Sequence, residues 1–112
     1  MAIIVIVDDM CTGKISKRRL EEAGHTIFWY YIGHEALDEL NNGLKYDLAL
    51  VDISLDDIDG NQIINRMKEL YPDKPVICTS CYPILNTRAD YRHWNLSDIA
   101  EVVESALKEK QR

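Results

Sequence analysis

Two stretches of the chain are apolar almost without interruption, and both end in acids. Ala2 to Val7 runs into Asp8 and Asp9, and Tyr46 to Val51 runs into Asp52. Runs of this length that lack polar alternation predict strands covered on both faces, the interior strands of a parallel sheet. Elsewhere the pattern is periodic. Met10 to Ala23 predicts a helix with a thin stripe of Cys11, Ile15, Leu20 and Ala23, ended by Gly24. Thr26 to Tyr30 is aromatic and β-branched and predicts a strand. His34 to Leu40 predicts a short helix, and Asn61 to Leu70 a longer one striped by Ile63, Ile64, Met67 and Leu70. Pro75 to Thr79 predicts a fourth strand leading to Ser80, and Asp90 to Trp94 a short fifth one. The last helix carries Ile99, Val102, Val103, Ala106 and Leu107 on one face, with Ser97 expected as its N-cap. Strand and helix alternate throughout, which predicts an α/β fold with a doubly wound, five-stranded parallel sheet and right-handed crossovers.

This architecture gives the acids a meaning. In open α/β sheets ligands bind at the carboxyl edge of the strands, where Asp8, Asp9 and Asp52 all fall. Three carboxylates in one cleft cannot all stay ionised unless a proton or a cation joins them. A hard, oxygen-seeking Mg²⁺ fits such a set. The competing reading is that Asp8 or Asp9 only caps the first helix and Asp52 only starts a turn.

Composition narrows the partners. The 112 residues form one domain, 1–112, and 46% hydrophobic content excludes a disordered chain. Nineteen acids against thirteen bases give a net charge of -6, which disfavours a nucleic-acid surface. No run reaches membrane-spanning length, and Met1 leads straight into a strand without a leader pattern, so no membrane partner and a cytoplasmic location are expected. Three cysteines fit a reducing compartment.

Asp8-Asp9 after one strand, Asp52 after another, Asp59-Gly60 opening a helix and Ser80 ending a strand that starts Pro75-Val76-Ile77 resemble the receiver domain of two-component response regulators. The resemblance extends over essentially the whole chain and includes Gly33 to Leu37 at the second helix. It implies the flavodoxin-like strand order 2-1-3-4-5. It further implies that Asp52 accepts a phosphoryl group from a histidine kinase or phosphotransfer protein, with Mg²⁺ held by Asp8, Asp9, Asp52 and the Ser54 carbonyl. Ser80 would supply the hydroxyl that contacts the phosphoryl group, and Tyr91 the aromatic that switches with it. An unidentified downstream protein would read the switch, and a homodimer is left open. No enzymatic turnover is expected beyond Mg²⁺-dependent self-phosphorylation and dephosphorylation.

Three departures from the family pattern stand out. Trp94 and Asn95 occupy the positions of the family's Lys and Pro, and Arg92 lies on the same strand face two residues earlier. Between Ser80 and Ala89 there is no room for a full helix around Pro83, so the family's fourth helix is expected to be shortened or absent. Tyr82, Ile84, Leu85 and Trp94 would then either cover the sheet in its place or lie partly exposed as a new contact patch, the covering role being the expected one. Finally, Leu55-Asp56-Asp57-Ile58 replaces the family's Pro-Gly and is expected to be a solvated loop.

A phosphoacceptor and a pseudo-receiver kept for protein binding are therefore the two readings in play. Other signals recede: Cys78 and Cys81 read as small buried hydrophobes, Thr12-Gly13-Lys14 lacks the rest of a phosphate loop, and His25, His34 and His93 are expected at the surface.

Overall fold

The computed structural model describes residues 1–79, 87–93 and 96–110. Strands β1 (Ile3–Val7), β2 (Thr26–Tyr30), β3 (Leu48–Val51), β4 (Val76–Cys78) and β5 (Tyr91–Arg92) form one parallel sheet in the order β2-β1-β3-β4-β5. Four α-helices are described: α1 (Met10–Glu22), α2 (Gly33–Asn41), α3 (Gly60–Leu70) and α4 (Ile99–Lys110), with a 3-10 turn at Leu96–Asp98 before the last. This is the expected doubly wound, flavodoxin-like fold.

The three interior strands, β1, β3 and β4, are uniformly apolar because alternate residues feed two cores. Val5, Val7, Ala49, Val51, Val76 and Cys78 pack under α2 and α3 against Ala36, Leu40, Ile63, Ile64 and Met67. Ile4, Ile6, Leu48, Leu50 and Ile77 pack on the other face against Leu20 of α1 and Ile99, Val103 and Ala106 of α4. β1 and β3 are paired in register, Val7 opposite Val51. The residues that follow them in the chain, Asp8 and Asp52, are therefore delivered side by side.

Several boundaries differ from the sequence reading, each for a local reason. β3 starts at Leu48 and not at Tyr46, because Tyr46 is buried by other means. Its ring stands edge-on to Tyr71 at 5.4 Å, and the Asp47 carboxylate accepts the Ile3 amide at 2.8 Å. Ser97, the expected N-cap, falls inside the 3-10 turn that leads into α4 at Ile99. β5 is only two residues long, flanked by backbone bonds from the Asp90 amide to the Val76 carbonyl at 2.9 Å and from the His93 amide to the Cys78 carbonyl at 2.8 Å, and side chains brace its start. Lys68 Nζ of α3 donates to Asp90 Oδ2 at 2.6 Å, and the same oxygen accepts the Val76 amide at 2.8 Å.

The crossover from β4 to β5, residues 79–90, is the shortest of the four. Its described residues, 79 and 87–90, are not helical. The expected loss of the family's fourth helix and the covering role of Tyr82, Ile84 and Leu85 concern residues 80–86, outside the described set.

Two surface expectations are corrected. His25 is buried, its ring Nδ1 accepting the Ala2 amide at 3.1 Å and its Nε2 lying 2.9 Å from Glu104. His93 is partly buried and contacts Asp98 at 2.7 Å, whereas His34 is exposed. The loop from Leu55 to Ile58 is not simply solvated either, since both of its apolar residues pack against the α2/α3 core.

Gly60, the first residue of α3, shows how tightly that helix seats on the end of β3. A β-carbon there would lie 2.2 Å from the Asp52 carbonyl oxygen and 2.6 Å from Ile53 Cα, both backbone atoms that cannot swing away. Gly60→Ala is expected to cost roughly 1–3 kcal/mol or more by overpacking. Urea unfolding followed by circular dichroism checks it. The midpoint should fall while the slope of the transition stays unchanged.

Candidate functional site

The site lies at the carboxyl edge of β1 and β3. Asp52 extends the sheet ladder by one residue, its amide donating to the Val7 carbonyl at 2.8 Å. Asp8 does the same on the other side of β1, donating to the Tyr30 carbonyl at 3.1 Å. Both are buried, at 8% and 2% exposure, whereas Asp9 is exposed. One carboxylate oxygen from each of Asp8, Asp9 and Asp52 lies within 4.8 Å of the others. The sequence reading named these three acids, and the fold brings them together.

Local bonds aim the carboxylates. Asp8 Oδ1 accepts the Asp9 amide at 2.7 Å, and Asp52 Oδ1 accepts the Ser54 amide at 3.0 Å. Asp9 caps α1, its Oδ1 accepting the Thr12 amide at 2.7 Å. The capping role thus coexists with membership of the cluster, because a carboxylate has two oxygens. Ser54 pairs with Asp59 in an isolated antiparallel bridge, and Asp59 in turn caps α3. The turn bearing Ser54 is therefore tied at one end to Asp52 and at the other to a helix terminus.

Electrostatics make the cluster costly when empty. Asp8 is pushed up from 3.8 to about 8, first by burial and next by the neighbouring Asp52 charge, with the Asp9 amide opposing. Cys78, beneath the site, is raised to about 11 by burial and then by Asp52, with Arg92 opposing. Arg92 stands beside Cys78 in the β4–β5 register. A cation is thus within electrostatic reach of the sheet edge. The oxygen donors, their convergence and the shift on Asp8 suit a hard divalent cation, which Asp8, Asp9 and Asp52 could hold.

Two residues near the acids were missed in the sequence. Thr79 is buried at the end of β4, and its hydroxyl donates to Asp8 Oδ2 at 3.5 Å. Strand alternation could have found it, since Thr79 follows Cys78 as Asp8 follows Val7. Trp29 Nε1 donates to the Asp8 carbonyl at 3.2 Å, and its ring lies where a β-carbon on Gly13 would be. No sequence signal marks that contact. Of the other expected site residues, Tyr91 lies on β5 with its hydroxyl donating to Glu109 of α4, which raises it to about 12. Ser80 and Trp94 lie outside the described residues.

A separate cavity of about 500 Å³ lies at the opposite edge of the sheet, between Met1, His25, Lys74, Glu104 and Lys108, and shares no residue with the acid cluster. Among the described residues no helix is long and apolar enough to cross a membrane.

Comparison with known proteins agrees with this geometry. The family model for the response regulator receiver domain matches residues 3–100. The transcriptional regulatory protein QseB of Escherichia coli O157:H7 is 28% identical over 90 residues, covering 80% of this chain and 41% of QseB. The swarming motility regulation protein RssB of Serratia marcescens is 34% identical over 77 residues, covering 69% of this chain and 35% of RssB. The chain therefore spans well under half the length of these curated relatives. A CheY-like receiver domain from Methanospirillum hungatei superposes with a TM-score of 0.83 at 26% identity, covering 97% of this chain and 94% of that one. The response regulator TrrA of Thermotoga maritima, solved in complex with Mg²⁺ and BeF, gives a TM-score of 0.79 at 26% identity, covering 95% of this chain and 99% of TrrA. With the acids at the carboxyl edge of a sheet in the order 2-1-3-4-5, this chain belongs to the response regulator receiver domain family.

Proposed function

We propose that the chain is a phosphoacceptor receiver in two-component signal transduction, with Asp52 as the residue that carries the phosphoryl group. The observation that carries this reading is the convergence of Asp8, Asp9 and Asp52 oxygens within 4.8 Å at the end of β3. An Asp52 carboxylate oxygen attacks the phosphorus of a phosphohistidine, the phosphorus–nitrogen bond breaks, and an acyl phosphate remains on Asp52. Asp8, Asp9, Asp52 and the Ser54 carbonyl would hold Mg²⁺, whose charge offsets that of the acids and the phosphoryl oxygens. The Ser54 amide holds one Asp52 oxygen, leaving the other for attack. Ser80 and Tyr91 are the proposed switch pair, and a partner protein reads the result. The donor is a histidine kinase or phosphotransfer protein, and no turnover on an outside substrate is expected.

The second reading is a pseudo-receiver that binds a partner without phosphorylation. It is favoured by Trp94 at the family's Lys position.

Intact mass after incubation with Mg²⁺ and a small-molecule phosphodonor separates the two. Wild type should gain one phosphate and Asp52→Asn none, with the gain abolished by chelation. A folded, Mg²⁺-binding wild type that gains nothing establishes the pseudo-receiver instead.

Stability provides an independent check on the metal site. Because the Asp8 carboxyl binds its proton more tightly folded than unfolded, its contribution to stability is complete below pH 4. That contribution is lost as pH rises through about 8. Metal-free protein should therefore melt lower at pH 8 than at pH 6 by differential scanning fluorimetry. Mg²⁺ should raise the melting temperature, and more so at pH 8, reaching roughly 2.7 kcal/mol of added stability at a hundredfold excess over Kd. Asp8→Asn should flatten the pH dependence, stabilise the metal-free protein at pH 8 and weaken the response to Mg²⁺.

A further inference from the structure

The helix α2 has no cap of its own. Its N-cap residue is Ile32, which has extended backbone geometry but offers no side-chain acceptor. The acceptor comes instead from the loop behind the phosphoacceptor, in the form of Asp57. Asp57 Oδ1 accepts the Gly33 amide at 2.9 Å, and Oδ2 accepts the His34 amide at 2.8 Å. The His34 ring adds a third contact, Nδ1 to Oδ2 at 2.6 Å. Packing closes the same joint. A β-carbon on Gly33 would lie 2.8 Å from Ile58, 3.1 Å from Leu55 and 3.1 Å from Asp57 Oδ1, so this glycine lets the loop lie directly on the start of the helix.

These contacts do more than finish a helix. The segment from Asp52 to Gly60 carries the phosphoacceptor, the proposed Ser54 metal carbonyl and the Asp59 cap of α3. It is fixed where it leaves β3 and where it enters α3. Between those anchors, among the described residues, Asp57 makes the polar ties that join the segment to another element. Helix amides attract a carboxylate strongly, and the Asp57 group is held down to about 2, chiefly by the His34 amide. The loop is thus pinned at its middle to a helix that is itself packed in the α2/α3 core.

We infer that Asp57 is a positioning residue for the phosphoacceptor site, holding the loop behind Asp52 so that the Ser54 carbonyl and the Asp52 carboxylate stay in the arrangement a divalent cation requires. It acts through Asp52 and Ser54, and it touches neither the cation nor the phosphoryl group. This rests on the proposed function of Asp52 and adds to it a residue that resembles a surface charge in sequence.

The test separates positioning from helix capping. Asp57→Asn replaces one acceptor oxygen with an amide that faces backbone donors. Ile32→Ser in the same chain gives α2 a cap of its own at a position with suitable backbone geometry. Mg²⁺ affinity is read by isothermal titration calorimetry and phosphorylation by intact mass, both well below the melting temperature. Asp57→Asn is expected to weaken Mg²⁺ binding about tenfold, as loss of a supporting partner around metal ligands does, and to slow phosphate gain. The double variant should recover the melting temperature and keep the weakened Mg²⁺ binding. Wild-type Mg²⁺ affinity and phosphorylation in Asp57→Asn, or their return together with stability in the double variant, would overturn the inference and leave Asp57 a helix cap. A wild-type control that neither binds Mg²⁺ nor gains phosphate would count against the function of Asp52 itself, and so is distinguished from failure of the Asp57 role.

Discussion

Three carboxylates are held together by a sheet that has no electrostatic reason to do so. The apolar registration of β1 with β3, Val7 against Val51, is what sets Asp8 beside Asp52. Burial of alternate residues in two cores fixes that register, because a slip of one residue would exchange the contents of both faces. The hydrophobic core therefore stabilises a repulsive arrangement at its own edge. The repulsion is visible as the raised Asp8 carboxyl. It is tolerated because a proton or a cation can relieve it.

The same logic explains which parts of the fold could be read from the sequence. β1, β3 and β4 are interior strands, and residues on both of their faces must be apolar, so their runs are unmistakable. Helices α1 to α3 fall within a residue or two of their expected limits because one face of each meets a core. The errors lie where burial is not produced by a periodic element. Tyr46 is fully buried yet precedes β3, held by Tyr71 and by Lys74, whose ammonium lies 5.4 Å from its ring centre. β5 has almost no pattern of its own, and its start is braced by Lys68 and Asp90, residues 22 apart in sequence.

The site shows a similar division. Asp8, Asp9 and Asp52 were legible because a strand end fixes the position of the next residue whatever surrounds it. Thr79, Trp29 and Asp57 act through contacts with Asp8, Asp8 and α2 at separations of 71, 21 and 23 to 24 residues. Such contacts depend on which elements become neighbours and where a side chain crosses between them. His25 was misplaced for the same reason. Its burial comes from Ala2 and Glu104, which flank it only once β1 and α4 have packed. A titratable residue in sequence carries no mark of the partners that tertiary structure supplies.

The two edges of the sheet make the final point about charge. At the amino edge, the cavity beside His25 is lined by acids and bases together, Asp47 and Glu104 with Lys74 and Lys108. Opposite charges within reach of one another leave little field for a mobile ion to complete. At the carboxyl edge three acids converge on one another, and each is already oriented by a backbone bond or a helix terminus: Asp8 by the Asp9 amide, Asp9 by α1, Asp52 by the Ser54 amide. A cation arriving there would not have to order its ligands, so less of its binding energy would be lost to side-chain entropy. Helix and strand ends, the places where the fold has spare hydrogen-bonding groups, thus supply the preorganisation. The core supplies the proximity, and the unbalanced charge that results distinguishes this edge from the other.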